Sequence, residues 1–172
     1  MNDRRHITML GSMPPIKGIG KYTYSLCNEL SNTLRITFLS FKNIYPRFLY
    51  PGDPIDRSIH RKEVEGLEIV EKLSWYDPFS WVAAGFSISS KILHAQWWSY
   101  VLAPVYFTIL LIARIKGVRI IITVHNVLPH ESNPVTKVLN RMVILLADEV
   151  IVHTEDGRKL LLELYGERFS ED

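Results

Sequence analysis

Short apolar runs alternate with longer amphipathic stretches along most of this chain. Residues 7–10, 36–40, 92–96, 120–124 and 149–153 are mostly apolar and lack the clean polar alternation of a half-exposed sheet. That pattern suits strands covered on both faces. A weaker strand pattern runs over 67–72. Between these runs, residues 18–31, 100–116, 134–147 and 155–165 carry helical spacing. The first helix is expected to bury Ile19, Tyr22, Leu26 and Leu30 on one face, with Thr23 and Cys27 beside them. Ser132 and Asn133 before Pro134 are good start signals for the third helix. Thr154 can cap the last, with Glu155 and Asp156 in its first turn, and Gly166 is a natural stop. Strands alternating with helices predict an α/β fold: a three-layer, Rossmann-like, doubly wound and mostly parallel sheet, as a single domain over residues 1–172.

Two segments depart from this rhythm. Residues 41–85 hold Pro46, Pro51, Pro54 and Pro78 among Tyr45, Phe48, Tyr50, Trp75, Tyr76 and Trp81. The stretch is too aromatic for a linker and is expected to be an ordered excursion with a small strand, packed over one end of the sheet. Residues 101–113 are almost wholly apolar. They are fewer than the ~18–20 residues a bilayer crossing needs, so a core helix buried on both sides is expected.

Composition narrows the class. The chain has 172 residues, 47% hydrophobic and 22% charged, which is globular rather than disordered. The net charge of +2 leaves no electrostatic footprint for nucleic acid, so no nucleic-acid partner is expected. Cys27 is the only cysteine, so no disulfide can form within the chain and a reducing, cytoplasmic setting fits. Among apolar helix neighbours it reads as core filler. Arg4 and Arg5 beside apolar residues are compatible with peripheral contact at the inner face of a membrane. His125 and His130 are five apart in a loop with Pro129, not at helical metal-ligand spacing, so no metal is expected. No Gly-x-Ser-x-Gly elbow is present.

The candidate chemistry sits at strand tips, where an open parallel sheet binds ligands. The run 120–124 breaks into His125, Asn126, Val127, Leu128, Pro129 and His130. The first strand leads through Pro14 and Pro15 to Lys17, Gly18, Ile19 and Gly20, where glycines and a helix N-terminus could bring backbone donors to a phosphate or sugar hydroxyl. This turn fails as a Walker A loop, which needs Gly-Lys-Ser/Thr where the chain has Gly20-Lys21-Tyr22. It also fails the dinucleotide fingerprint, with Thr23 in place of the third glycine and Leu39-Ser40-Phe41 where an acid should end the second strand. A nucleotide-dependent reductase is therefore disfavoured. His94 and Gln96 lie two apart and share a strand face, and Trp97 and Trp98 offer indoles that could stack on a sugar. Each motif alone also reads as plain structure: a Pro/Gly turn, a satisfied core histidine, core aromatics.

Taken in order, the blocks resemble the N-terminal domain of the retaining glycosyltransferases of GT-B fold, glycosyltransferase family 4. The resemblance rests on the Pro/Gly loop from Pro14 to Tyr22, on His94-Ala95-Gln96-Trp97, on Thr123-Val124-His125-Asn126 with Pro129 after it, and on Ala147-Asp148-Glu149-Val150-Ile151-Val152-His153-Thr154. One departure is visible: the family's second histidine of His-x-His is Gln96 here. The resemblance implies a nucleotide-sugar donor, a glycan or lipid-linked acceptor, retention of configuration, and neither cofactor nor metal. His125 would be the catalytic residue, orienting the donor sugar near its anomeric centre. Gly18, Ile19, Gly20, His94, Gln96, Trp97 and Asn126 would bind donor or acceptor.

In such enzymes a second Rossmann-like domain carries most of the nucleotide-sugar site. This sequence reaches Asp172 with no such domain following, so it is expected not to turn over alone. The alternative is a non-catalytic binding or partner module, one subunit of a split glycosyltransferase with a second Rossmann-like chain as partner.

Overall fold

A computed structural model describes residues 4–44, 55, 61–127 and 134–169. The strands β1 (Arg5–Gly11), β2 (Leu34–Asn43), β3 (Leu67–Ser74), β4 (Ile92–Trp97), β5 (Arg119–Val124) and β6 (Glu149–Val152) form one sheet in the order β3-β2-β1-β4-β5-β6. Every pair is parallel. The strand order reverses between β1 and β4, which opens a crevice at their carboxyl ends.

Helices lie on both faces, and the strands enclosed between them, β1, β2 and β4, are buried and almost continuously apolar. The helix α1 (Gly20–Ser31) lies on one face, closing a small core of Ile7, Met9, Ile36, Phe38 and Cys27. The opposite face carries α2 (Pro78–Ser87), α3 (Ala103–Ile115), α4 (Pro134–Ile144) and α5 (Glu155–Phe169), over a larger core that includes Leu10, Leu39, Leu93, Ala95, Ile120 and Ile122. Alternate residues of each strand thus serve the two layers. The three-layer, Rossmann-like, doubly wound fold expected from the alternation is the fold observed, with all pairs parallel.

Several local expectations change. α1 begins at Gly20, and its buried stripe is Gly20, Thr23, Cys27 and Ser31. The helix is therefore rotated from the face that Ile19 and Tyr22 suggested, and Tyr22 stays 41% exposed. Cys27 is fully buried, and burial pushes its thiol up to about 12, so it is an inert filler. The strand expected over 67–72 is a full edge strand, β3, paired along β2. Helix α2 was not foreseen in the aromatic excursion. Asp77 starts it by accepting from the Phe79 amide at 3.1 Å, with Pro78 in the first turn. Residues 45–54 and 56–60 of the excursion, and Ser132, Asn133 and His130, lie outside the described residues. Thr154 caps α5 by accepting from the Gly157 amide at 3.0 Å. That helix does not stop at Gly166 but runs on to Phe169, so glycine's cost inside a helix is outweighed by packing.

Helix α3 needs the largest correction. It is apolar all round, yet only Ala103, Val105, Tyr106, Ile109, Leu110 and Ala113 are buried. Leu111 and Ile115 face outward. The basic residues at its end tie it to neighbouring elements. Lys116 Nζ donates to the Phe86 and Ile88 carbonyls at 2.7 and 2.5 Å, closing the C-terminus of α2, and Arg114 pairs with Asp148. Arg4, read as compatible with peripheral membrane contact, is engaged within the fold: it donates to the Ser31 carbonyl at 3.0 Å and pairs with Glu65 at 3.5 Å.

The α2–α3 seam depends on Gly85. A Cβ there would stand 2.8 Å from Ile112 Cδ1 and 2.9 Å from Ile112 Cβ. Gly85→Ala is expected to lower stability by about 1–3 kcal/mol, read as a reduced urea midpoint with unchanged slope, although alanine is the better helix former.

Candidate functional site

Alternation within β4 decides which side chains meet. Leu93, Ala95 and Trp97 enter the large core, so His94 and Gln96 project to the other face, the side of α1. Gln96 pairs with Thr123 and Trp97 with Val124 across β4 and β5, and Val124 pairs with Val152 across β5 and β6. The next residues, His125 and His153, leave the sheet side by side with ring centroids 4.8 Å apart. The His125 amide still donates to the Trp97 carbonyl at 2.9 Å, so its backbone remains held to β4.

These side chains form one hydrogen-bonded chain across three strand tips. Thr123 Oγ1 and His94 Nε2 are 2.8 Å apart, His94 Nε2 and Gln96 Nε2 3.2 Å, Gln96 Oε1 and His125 Nε2 3.0 Å, and His125 Nδ1 and His153 Nε2 3.2 Å. With the Gln96 amide oxygen toward His125, that imidazole carries its proton on Nε2 and accepts from His153 at Nδ1. Gln96, the only glutamine in the chain, is fully buried, and Gly11 makes room for it: a Cβ there would come 3.2 Å from Gln96 Cβ.

Burial alone lowers the His94 pKa to about 4. For His125, burial comes first, then His153 and His94, and its pKa also falls to about 4. Both imidazoles are therefore neutral near pH 7 and act through hydrogen bonds rather than charge.

The first turn of α1 closes the other side. Tyr22 stands edge-on to His125 and His153, with centroids 5.0 and 5.3 Å away. Gly18 has φ +88°, a backbone region glycine adopts without strain, with open space where a side chain would be. Gly20 is tightly placed: a Cβ would lie 3.1 Å from the Pro14 nitrogen. Ile19 caps α1 through its carbonyl, which accepts from both the Thr23 amide and the Thr23 hydroxyl. Asn126 is exposed and lines, with His125, His153, Thr154 and Asp156, an open hollow of about 270 Å³.

Trp97 needs correction. Its indole is 1% exposed in the large core and donates to Asn140 Oδ1 at 2.8 Å, because odd positions of β4 face the helical layer. It cannot stack on a sugar. It helps instead from behind, since Asn140 Nδ2 donates at 3.4 Å to the Val127 carbonyl in the segment after His125. Trp98 packs partly buried against the same core, edge-on to Tyr106.

Two participants were missed, Tyr22 and His153. For His153 the signal was available: it stands one residue past its strand, as His125 does, on a neighbouring parallel strand. Among the described residues, no group of three or more histidine, cysteine or carboxylate side chains could hold a metal ion, and no helix is long and apolar enough to cross a membrane.

No family model matches the chain, and no curated protein matches it in sequence. In fold it is similar to a solved α-glucosyltransferase in complex with UDP-glucose and DNA containing an abasic site, with a TM-score of 0.52 and 17% identity. The match covers 98% of this chain and 41% of that one. The chain thus has the Rossmann-like architecture of one half of a GT-B glycosyltransferase and spans less than half the length of that neighbour.

The neutral imidazoles make stability depend on pH. Unfolded, each histidine titrates near 6.5; folded, near 4. The unfolded chain therefore binds more protons between these values, so stability is fully present above about pH 6.5 and is lost as pH falls toward 4. Protonating either ring in the fold costs on the order of 3 kcal/mol. Thermal unfolding should show the midpoint falling from pH 7 to 4, with a shallower fall in His125→Gln.

Proposed function

We propose that this chain is the acceptor-side half of a retaining glycosyltransferase, most similar in its motifs to family 4. It would act on a nucleotide-sugar donor and a glycan or lipid-linked acceptor. The observation that carries the reading is the hydrogen-bonded chain from His94 through Gln96 to His125 and His153, with His94 and His125 neutral, set at the carboxyl edge where strand order reverses, beside the Gly18–Gly20 start of α1. Fixed, partly dry hydrogen-bond groups suit the orientation of sugar hydroxyls. His125 is the catalytic candidate: its ring reaches the cleft while Gln96 fixes its orientation. Gly18, Gly20 and Asn126 would meet donor or acceptor along the same edge.

The hydrogen-bonded chain itself brings no cation to a departing diphosphate. Lys17 and Lys21 flank the Gly18–Gly20 turn, and a second Rossmann-like unit, on this polypeptide or as a separate subunit, would supply the remaining positive groups and complete the site. The DNA held by the α-glucosyltransferase is a poor model for this acceptor, because a net charge of +2 and the Asp156 carboxylate at the hollow beside His125 offer little to a phosphate backbone. A single buried cysteine fits work in the cytoplasm.

The test is an NMR titration of the chain with UDP-glucose, other nucleotide sugars, simple glycans and NAD. Sugar-bearing ligands are expected to move the His125 and His153 ring resonances. His125→Ala should weaken that binding several-fold, because it removes the ring that lines the hollow and the acceptor that orients His153. Tight NAD binding at the Gly18–Gly20 turn, or sugar ligands that leave both rings unmoved at millimolar concentration, would overturn the proposal.

A further inference from the structure

The far side of the molecule carries a feature that sugar transfer does not use. Helices α2, α3 and α4 lie side by side over the sheet, and each turns an apolar stripe outward. On α2 the exposed residues are Phe79, Val82 and Phe86, opposite buried Ala84 and Gly85. On α3 they are Leu111 and Ile115; on α4, Val135, Val138 and Met142, opposite buried Thr136, Asn140 and Val143. Spacings of three, four and seven put each set on one helical face. Exposure is high: Phe79 86%, Ile115 76%, Phe86 65%, Val135 64%. An apolar hollow of about 250 Å³, lined by Pro104, Phe107, Leu139 and Met142, continues the surface between α3 and α4. Apolar area spread over three neighbouring helices marks a binding surface rather than scattered exposure.

Charge selects the occupant. The sequences of α2, α3 and α4 contain no aspartate or glutamate, while Arg114, Lys137 and Arg141 are present. The carboxylates nearest this layer have other roles or sit at its margin. Asp77 caps α2, Asp148 pairs with Arg114, and Glu163 of α5 shares a hollow with Arg141 at the far end. Tyr76, 62% exposed, adds an amphipathic ring just before Phe79. Among the described residues, apolar side chains on three helices that contain cations and no carboxylate complement an anionic lipid headgroup layer. We propose that the outer face of α2, α3 and α4 docks on an anionic bilayer surface, with Phe79, Phe86 and Ile115 entering the headgroup boundary and Lys137 and Arg141 meeting lipid phosphates. The surface lies across the sheet from the His94–His125 chain and does not depend on the reading of that site.

Sedimentation of the full chain with vesicles tests this. Binding is expected to vesicles of phosphatidylglycerol and phosphatidylcholine, and to be much weaker with phosphatidylcholine alone. Phe79→Ser with Phe86→Ser should abolish it. Lys137→Glu and Arg141→Glu should each weaken it at least about fivefold, the worth of one cation near an anionic surface, and high salt should do likewise. Ile151→Ser, equally a loss of an exposed apolar side chain (44%) but placed on β6 away from this layer, should leave binding unchanged. Circular dichroism of each variant separates lost binding from lost folding. Failure to sediment with anionic vesicles would overturn the proposal. So would retained binding in the folded double phenylalanine variant, or a dimer in light scattering that those two substitutions dissolve.

Discussion

Where Gln96 meets Thr123 and Val124 meets Val152 across parallel strands, the residues just past the strand ends have little freedom. Neighbouring parallel strands lie about 4.8 Å apart, and the rings of His125 and His153 stand at that same spacing, 4.8 Å. Shift β5 by one residue and His125 would turn to the other face while Ile122 left the core. The apolar demand of the helical layer therefore fixes the polar chain on the opposite side. The residues that hold this register lie in the large core: Ala95, Trp97, Ile120, Ile122 and Val124 are all nearly inaccessible. Tyr106 of α3 adds a direct tie, its hydroxyl donating to the Gln96 carbonyl at 2.7 Å.

Hydrophobic runs without alternation were enough to place five strands and the sheet type, because a strand covered on both faces has a strong compositional signature. β3 was only half expected because its pattern includes Glu68, Glu71 and Lys72, whereas β6, the other edge strand, keeps an apolar Val150-Ile151-Val152 run. Helix α2 escaped because Pro78-Phe79-Ser80-Trp81 looks like loop chemistry until Asp77 is seen to cap it. Tyr22 was assigned to the buried face because spacing alone cannot set a helix's rotation. Small Gly20, Thr23 and Ser31 pack inward instead, and the large ring is left at the cleft. At the site, His94, Gln96 and His125 could be named from strand-tip position. Trp97 could not be placed by residue type, since indole suits a sugar platform and a core equally well. Strand parity separates the two, and it puts Trp97 with Leu93 and Ala95.

Neutrality shapes what the site can do. A histidine with a pKa of about 4 near pH 7 is a fixed donor and acceptor, not a counter-ion. The Gln96 position sharpens the point. An imidazole there would put a third titratable ring between His94 and His125, and a proton taken up by one would be repelled by both neighbours. An amide relays orientation without a charge. The cost is directional, because the amide must present its oxygen to one ring and its nitrogen to the other, and this fixes which His125 nitrogen holds the proton.

Helix α3 joins the two sides of the molecule. Its inner surface packs Tyr106 against Trp97 and Trp98 and holds the Gln96 backbone, while Leu111 and Ile115 on its outer surface meet solvent. A helix apolar on every side is ordinarily enclosed, and leaving Phe79, Phe86 and Ile115 in water forgoes about 25 cal/mol for each Å² of apolar area left unburied. Were the outer layer only a lid for the sheet, polar residues at those positions would keep the inner packing and remove the exposed apolar surface. Neither Gly85 against Ile112 nor Lys116 on the α2 carbonyls requires phenylalanine or isoleucine on the outside. The inward residues of this layer account for the fold, so the outward ones must be explained by something that meets the protein from that side.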